Sequence, residues 1–193
     1  MSIFEKYITK LNLLFQEVDL TILEKISKEI TNAILQGRTI FVFGNGGSAS
    51  IANHFATDLV GGVSTKSNNQ VRVISLSANS SLLTAISNDF GNDQIFSRQL
   101  KSHATKNDLV LAVSSSGKSP NIISALKSSR EMGLRSVALV GFSKINTTVM
   151  ESADYIIHVK CADGLYEHVE DVHSILCHVL KIYIMDELRL ISK

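Results

Sequence analysis

Five short apolar segments alternate along the chain with longer segments whose apolar residues recur at helical spacing. Each apolar segment has five or six residues, a length typical of a buried strand and too short for a helix. Strands that alternate with helices form a parallel sheet covered by helices on both faces. The sequence therefore predicts an α/β fold, a three-layer sandwich around a parallel sheet. The predicted strands are 39–43, 71–76, 108–113, 136–140 and 155–159, and the predicted helices that follow the first strand are 48–60, 80–87, 93–102, 120–132 and 165–190.

Two amphipathic stripes precede the first predicted strand, at 2–18 and 20–35. Helices with an apolar face need a surface to cover. We therefore expect residues 1–36 to pack on the sheet or on a neighbouring subunit. The length of 193 residues suits one ordinary domain, and no repeat or linker interrupts it, so 1–193 is predicted to be a single domain.

Charge and apolar content limit the classes to which the chain can belong. The 19 basic and 18 acidic residues leave a net charge of +1, which gives no footprint for nucleic acid. No segment reaches the roughly 18 apolar residues of a membrane span. Charges at Glu5, Lys6 and Lys10 break any signal-peptide core, and Cys161 and Cys177 have no metal or redox spacing. We expect a cytoplasmic protein that binds neither nucleic acid nor membrane.

A glycine-rich segment, GNGGS at 44–48, follows the first predicted strand. Ligands of open α/β sheets bind beyond the carboxyl ends of the strands. Glycines leave the backbone N–H groups open to a ligand, and the start of the next helix favours an anion. A plain tight turn is the alternative. Asn45, Gly46 and Gly47 are therefore candidates for contacts with a phosphate or a sugar hydroxyl.

A serine-rich segment, SSSGKSPN at 114–121, follows the third predicted strand. Pro120 suits the first position of a helix, with Ser119 as its N-cap. A nucleotide P-loop is excluded, because that motif needs a glycine where Ala112 stands. Capping alone is the alternative, but two such segments at neighbouring strand ends favour phosphate binding. The candidate phosphate contacts are Ser114, Ser115, Ser116 and Ser119.

Titratable side chains form two further groups. His54 and Asp58 are four residues apart, so they share one face of a predicted helix. The last helix carries Glu170, His173 and His178. A surface role and a metal site both remain open on this spacing. The pair Asn88 and Asp89 is expected in a loop between two helices.

These motifs together resemble one enzyme family. The segments GNGGS-x5-HF, SNDFG, SSSGKSPNI and EDVH-x4-H are similar to those of the phosphoheptose isomerases, over nearly the whole chain. The resemblance implies the sugar isomerase (SIS) fold, a flavodoxin-like doubly wound sheet with two leading helices. It implies conversion of sedoheptulose 7-phosphate to D-glycero-D-manno-heptose 7-phosphate for surface glycans such as lipopolysaccharide or capsule. It also implies a homotetramer with active sites between subunits, and one zinc ion per subunit.

Residue by residue, the resemblance assigns Asp58 and His178 as the acid/base pair. It places a zinc ion among His54, Asp58, Glu170 and His178. The substrate contacts that it implies are Asn45, Gly46, Gly47, Asp58, Asn88, Asp89, Ser114, Ser115, Ser116, Ser119 and Glu170.

Two positions depart from the family pattern. Asp58 stands where the family has Glu, which draws the carboxylate back by about 1.5 Å. Glu170 stands where the family has Gln, which adds a negative charge. On one continuous helix, residues 170 and 178 are about 12 Å apart in rise, so they meet at one ion only if the helix starts late or two subunits contribute.

Two alternatives to an isomerase remain. Some relatives of this fold have lost the acid/base residues and bind proteins, including one that assists replication initiation; Asp58 and His178 argue against that class here. A regulator that senses sugar phosphates would normally carry a DNA-binding domain, and the sequence displays none.

Overall fold

The computed structural model describes residues 1–63, 70–142 and 147–191. Five parallel strands form one sheet in the order β2-β1-β3-β4-β5. This is the flavodoxin-like doubly wound order. The strands are β1 (Thr39–Gly44), β2 (Arg72–Ser75), β3 (Leu109–Ser114), β4 (Arg135–Gly141) and β5 (Tyr155–Val159).

Eight α-helices are described with the sheet, in places that the alternation of the sequence mostly predicts. Two short irregular turns join them, a π-helical turn at Asp58–Val63 and a 3-10 turn at Asn92–Gln94. The helices are α1 (Ile3–Gln16), α2 (Leu20–Leu35), α3 (Gly46–Thr57), α4 (Ser80–Phe90), α5 (Ser97–His103), α6 (Pro120–Glu131), α7 (Thr147–Ser152) and α8 (Tyr166–Ile191).

Local capping explains where several helices begin. The Ser2 and Glu5 side chains form a capping box at α1. The Asp19 carboxylate accepts hydrogen bonds from two amides in the first turn of α2, and the Asn79 side chain caps α4. Pro120 occupies the first turn of α6, where its missing N–H leaves no hydrogen bond unmade.

The sheet separates two apolar cores, which confirms the predicted three-layer α/β fold. Successive residues of a strand point to opposite faces, so Ile40 and Val42 of β1 join the core under α1, α2, α3 and α8. Phe41 and Phe43 join the core under α4, α5, α6 and α7.

The two leading helices both pack within the chain. Helix α2 packs against β1, β5 and α8, whereas α1 makes its main contacts with α8. The Tyr7 hydroxyl donates a 2.6 Å hydrogen bond to the Asp171 carboxylate, which raises the pKa of Tyr7 to about 12, with burial a smaller cause. None of the described helices is long and apolar enough to cross a membrane.

Candidate active site

A cavity of about 160 Å³ opens at the point where the strand order reverses, between β1 and β3. Gly44 and Val113 are paired in the parallel register, so the loops that follow the two strands lie side by side. Ligands of doubly wound sheets bind at this switch point. The residues that line the cavity are Asn45, Ser48, Ser114, Ser115, Ser116, Ser119, Tyr166 and Glu170.

In the serine loop, residues 114–119, some hydroxyls take part in hydrogen bonds within the loop and others do not. The Ser114 Oγ accepts from the Gly117 amide at 3.1 Å, and the Ser116 Oγ accepts from the Lys118 amide at 3.2 Å. Ser119 occupies the N-cap of α6, but its side chain makes no capping hydrogen bond. The Ser115 Oγ is buried without a partner. The prediction that Ser119 is the N-cap residue is confirmed, but its hydroxyl makes no capping hydrogen bond and remains available to a ligand.

The glycine loop, residues 44–48, is connected to the serine loop by hydrogen bonds between two side-chain amides. The Asn45 and Asn121 side chains donate to each other, both at 2.9 Å. Asn45 is the N-cap of α3, and it makes no side-chain capping bond there. Gly46 has a φ of 53°, a conformation that favours glycine. The amide pair therefore fixes the two loops relative to each other across the cavity.

The Glu170 carboxylate lies directly against Gly47 at the start of α3. A Cβ at Gly47 would collide with the Glu170 carboxylate oxygens, so any other residue at position 47 would displace that side chain. Burial raises the pKa of Glu170, and the charges of Glu167 and Asp171 raise it further. Glu170 is therefore a partly desolvated carboxyl group on the wall of the cavity.

A second group of side chains lies farther along the same helices. The His54 and His178 Nε2 atoms are 3.1 Å apart, and the Asp58 Oδ2 lies 3.6 Å from the first and 3.7 Å from the second. Asp58 is the first residue of the π-helical turn that continues α3. Such turns are often found at functional sites. The prediction that His54 and Asp58 share a face is confirmed.

The spacing of these three atoms fits a metal ion. Ligand atoms at about 2.0–2.1 Å from a tetrahedral zinc ion lie about 3.3 Å from one another. Among the residues that the structure describes, His54, Asp58 and His178 form a group whose ligand atoms all lie within 4.8 Å. Two imidazoles and one carboxylate are a donor set that zinc accepts, with a fourth position left for water or substrate.

Helices α3 and α8 run side by side and in the same direction. Gly47 meets Glu170 at their starts, and His54 meets His178 about two turns later. Eight residues of helix rise about 12 Å. The structure therefore does not bring Glu170 to the three candidate ligands within one chain, in line with the rise expected from a continuous helix.

Asn88 and Asp89 do not line the cavity. They lie in the last turn of α4, and not in a loop between helices as predicted. Both side chains are exposed, and the Asn88 amide donates to the Asp89 carboxylate at 2.9 Å. The helix extends three residues beyond the predicted end, to Phe90, and stops at Gly91.

Three residues at the cavity were missed by the sequence reasoning. Ser48 and Tyr166 line it, and Asn121 holds Asn45. Ser48 closes the glycine motif, so its position in the first turn after the loop was a usable signal. No local pattern marks Tyr166 or the contact between Asn45 and Asn121, because both depend on the tertiary fold.

Comparisons with known proteins agree with this geometry. Residues 4–141 match the model of the SIS domain family. The phosphoheptose isomerase of Aliarcobacter butzleri is 36% identical over 166 residues, covering 86% of this chain and 85% of that protein. That of Geobacter sp. is 37% identical over 151 residues, 78% of this chain and 76% of that protein.

Among solved structures, phosphoheptose isomerase GmhA from Neisseria gonorrhoeae superposes with a TM-score of 0.82 at 25% identity, and the match covers 94% of each chain. The family model spans well over half of this chain, and the curated relatives cover most of it above 30% identity. The chain therefore belongs to the SIS domain family, within the branch of the phosphoheptose isomerases.

Proposed function

We propose that this protein is an aldose–ketose isomerase that converts sedoheptulose 7-phosphate to D-glycero-D-manno-heptose 7-phosphate. One observation carries the proposal. A serine-lined cavity and a group of two histidines and one carboxylate lie about two turns apart along the parallel helices α3 and α8. The names of the relatives support the same activity for this chain.

The separation between the two groups suits a seven-carbon sugar phosphate. Eight residues of α8 rise about 12 Å between Glu170 and His178. An extended seven-carbon chain with a terminal phosphate spans roughly 10 Å. A phosphate held by the serine loop, at the Glu170 end of this span, would therefore place C1 and C2 beside Asp58 and His178.

The reaction moves one proton from C1 to C2 through an enediol. Asp58 takes the proton from C1 of the ketose and returns it to C2, while His178 gives a proton to O2 and takes one from O1. The protons given and taken balance, so both side chains end as they began. Each role requires the proton acceptor or donor to lie within hydrogen-bonding reach of the substrate.

His54, Asp58 and His178 would hold one zinc ion per subunit, which is the cofactor that we propose. Nε2 of His178 and one oxygen of Asp58 would bind the ion, which leaves Nδ1 and the second oxygen for proton transfer. When bound, the ion would stabilise negative charge on the sugar oxygens as a Lewis acid. Glu170 would join these ligands only by a movement or from a second subunit. Its remaining role within the chain is to contact the sugar from the cavity wall.

We propose a homotetramer in which neighbouring subunits complete the active site. The apolar residues Val60, Ile175, Val179 and Ile182 lie within four positions of Asp58 or His178 in sequence, and between 41% and 52% of each is exposed. An exposed apolar surface of this kind commonly marks a subunit interface. A partner subunit would also supply residues such as Asn88 and Asp89 to the site. We further propose that the product feeds heptose synthesis for surface glycans in the cytoplasm.

The proposal is tested by incubating the purified protein with sedoheptulose 7-phosphate in D₂O and following the products by NMR. We expect the aldose to appear with deuterium at C2, because the proton taken from C1 can exchange with solvent on Asp58. Light scattering in the same buffer should give four times the 21.1 kDa subunit mass. Tight binding of the sugar phosphate without any exchange or turnover would refute the isomerase and favour a non-catalytic binding protein.

A further inference from the structure

The cavity offers hydroxyls and amides to a phosphate, but its lining carries no basic side chain among the described residues. Glu170 is the one ionisable carboxyl group there. A phosphate monoester carries about −1.5 to −2 charge near pH 7. The starts of α3 and α6 contribute only partial positive charge. A cation close to the lining residues would therefore strengthen the binding of a dianion beside Glu170.

Lys118 is the basic residue of the serine loop itself. It is located in the serine loop between Ser116 and Ser119, both of which line the cavity. The Lys118 amide donates to the Ser116 Oγ, and Gly117, at a φ of 61°, turns the chain immediately before it. The backbone at Lys118 is thus fixed to the loop that would hold the phosphate.

The Lys118 side chain is paired with a residue from another loop. Its Nζ lies 3.8 Å from the Asp163 Oδ2, and about half of each side chain is exposed. Asp163 is in the segment between β5 and α8, three residues before Tyr166, which lines the cavity. The ion pair therefore joins the two segments that border the cavity, and exposed pairs of this kind contribute little to stability.

We propose that Lys118 is a specificity-determining residue that selects phosphorylated sugars by moving from Asp163 to the phosphate group. This inference rests on the proposed binding of a phosphate at the serine loop. Hydroxyl and amide groups donate hydrogen bonds to neutral and to charged oxygens, whereas an ammonium group adds a full positive charge that favours the phosphate. Asp163 pairs with the ammonium group when no phosphate is bound, and it lowers phosphate affinity because it competes for the same cation.

A purely structural clasp between the two loops makes a different prediction. If the ion pair only holds the loops together, removal of either partner has the same effect on the site. If Lys118 binds the phosphate, removal of Lys118 weakens binding and removal of Asp163 strengthens it. The signs of the two effects therefore separate the two roles.

The experiment compares Lys118→Gln, Asp163→Asn and the double variant, with Lys127→Gln on the exposed face of α6 as the control. We measure KM for the sugar phosphate and, by calorimetry, the affinity for inorganic phosphate. Lys118→Gln should raise KM roughly 10- to 100-fold with kcat nearly unchanged. Asp163→Asn should lower KM several-fold, and the double variant should match Lys118→Gln. Lys127→Gln should resemble the unaltered protein.

Equal losses in both single variants, or unchanged phosphate affinity in Lys118→Gln, would overturn the inference. Calorimetry with inorganic phosphate needs no turnover. If the unaltered protein binds phosphate but isomerises no sugar, the proposed reaction fails, and a loss of phosphate binding in Lys118→Gln would still support the role of Lys118.

Discussion

The two ends of the parallel helices α3 and α8 differ in how exposed their candidate site residues are. At the starts of the helices, the cavity is enclosed by loops from β1 and β3 and by the first turn of α8. Two turns later, His54 and His178 have 59% and 47% of their side chains exposed. The proposed phosphate site thus lies within one chain, whereas the two histidines lie at its surface.

This difference indicates that the two ends of one pair of helices suit different tasks, phosphate recognition and proton transfer. Hydroxyls and backbone amides can recognise phosphate in a cavity that stays partly solvated. Proton transfer requires closer control of water and geometry. The exposed end, which carries His54 and His178, is therefore the end that we propose a neighbouring subunit to cover, and changes at the two ends should affect different kinetic constants.

Among single substitutions at the two ends, Asp58→Asn is expected to show the largest difference between its effect on kcat and its effect on KM. The amide keeps the shape of the side chain but cannot take a proton, so kcat should fall about 10²- to 10⁴-fold. KM for the sugar phosphate should change little, because the phosphate contacts lie two turns away. Steady-state kinetics measure both constants, and calorimetry checks that phosphate still binds.

Two variants control for this result. Asp186→Asn removes an exposed carboxylate that pairs with Arg189 on α8, and it should leave kcat unchanged. Asp58→Glu restores the family's longer carboxylate and should preserve or raise turnover of sedoheptulose 7-phosphate. A fall in turnover with Glu would indicate that the site suits another sugar, and full activity in Asp58→Asn would remove Asp58 from the mechanism.

Acid should destabilise the fold at both ends of the site, because both ends include residues of α8. His173 lies between Glu170 and His178 in sequence and is fully buried. Burial lowers the pKa of His173 to about 4, and the Val140 backbone offsets this only partly. The unfolded chain, with an ordinary histidine pKa of about 6.5, binds more protons than the folded chain between these values. Stability should therefore fall by about 3 kcal/mol between pH 6.5 and pH 4 from this group.

Urea unfolding at several pH values measures this slope. His173→Gln should lose that part of the pH dependence, whereas His103→Gln, at an exposed position, should keep it. Should His173→Gln fail to fold, NMR titration of the unaltered protein provides a second test. A His173 ring that becomes protonated near pH 6.5 in the folded state would contradict the prediction.

The strands and the binding loops were predictable because their signals are local. Each apolar segment marked a strand within about two residues, and Gly46, Ser116 and Pro120 marked the loops. Helix α7 was missed because its six residues are too few for a helical periodicity. The sequence predicts ordinary helix where the π-helical turn begins, because no side-chain pattern distinguishes the two.

The arrangement of the site depended on contacts between distant residues. The strand order places the loops after β1 and β3 side by side, and Asn45 then meets Asn121, 76 positions away. His54 and His178 meet for the same reason, since α3 and α8 run in parallel. Spacing along one helix could still exclude a common position for residues 170 and 178, because rise is a local property.

The smallest effect, and the sharpest test of the binding end, is expected from Ser119→Ala. An N-cap serine normally contributes about 1 kcal/mol to stability through its capping bond. The Ser119 side chain makes no such bond, although it occupies the N-cap of α6. Its loss should therefore leave the free energy of unfolding unchanged, while the loss of one hydrogen bond to phosphate should raise KM about five-fold.

Asn79→Ala is the matched control, because the Asn79 side chain does cap α4, at 3.0 Å from the Leu82 amide, and Asn79 is not among the residues that line the cavity. That variant should lose about 1 kcal/mol of stability with KM unchanged. Urea unfolding gives the free energy of unfolding of each variant, and steady-state kinetics give its KM. A destabilised Ser119→Ala with unchanged KM would return this hydroxyl to a capping role and leave the other serines of the loop to hold the phosphate.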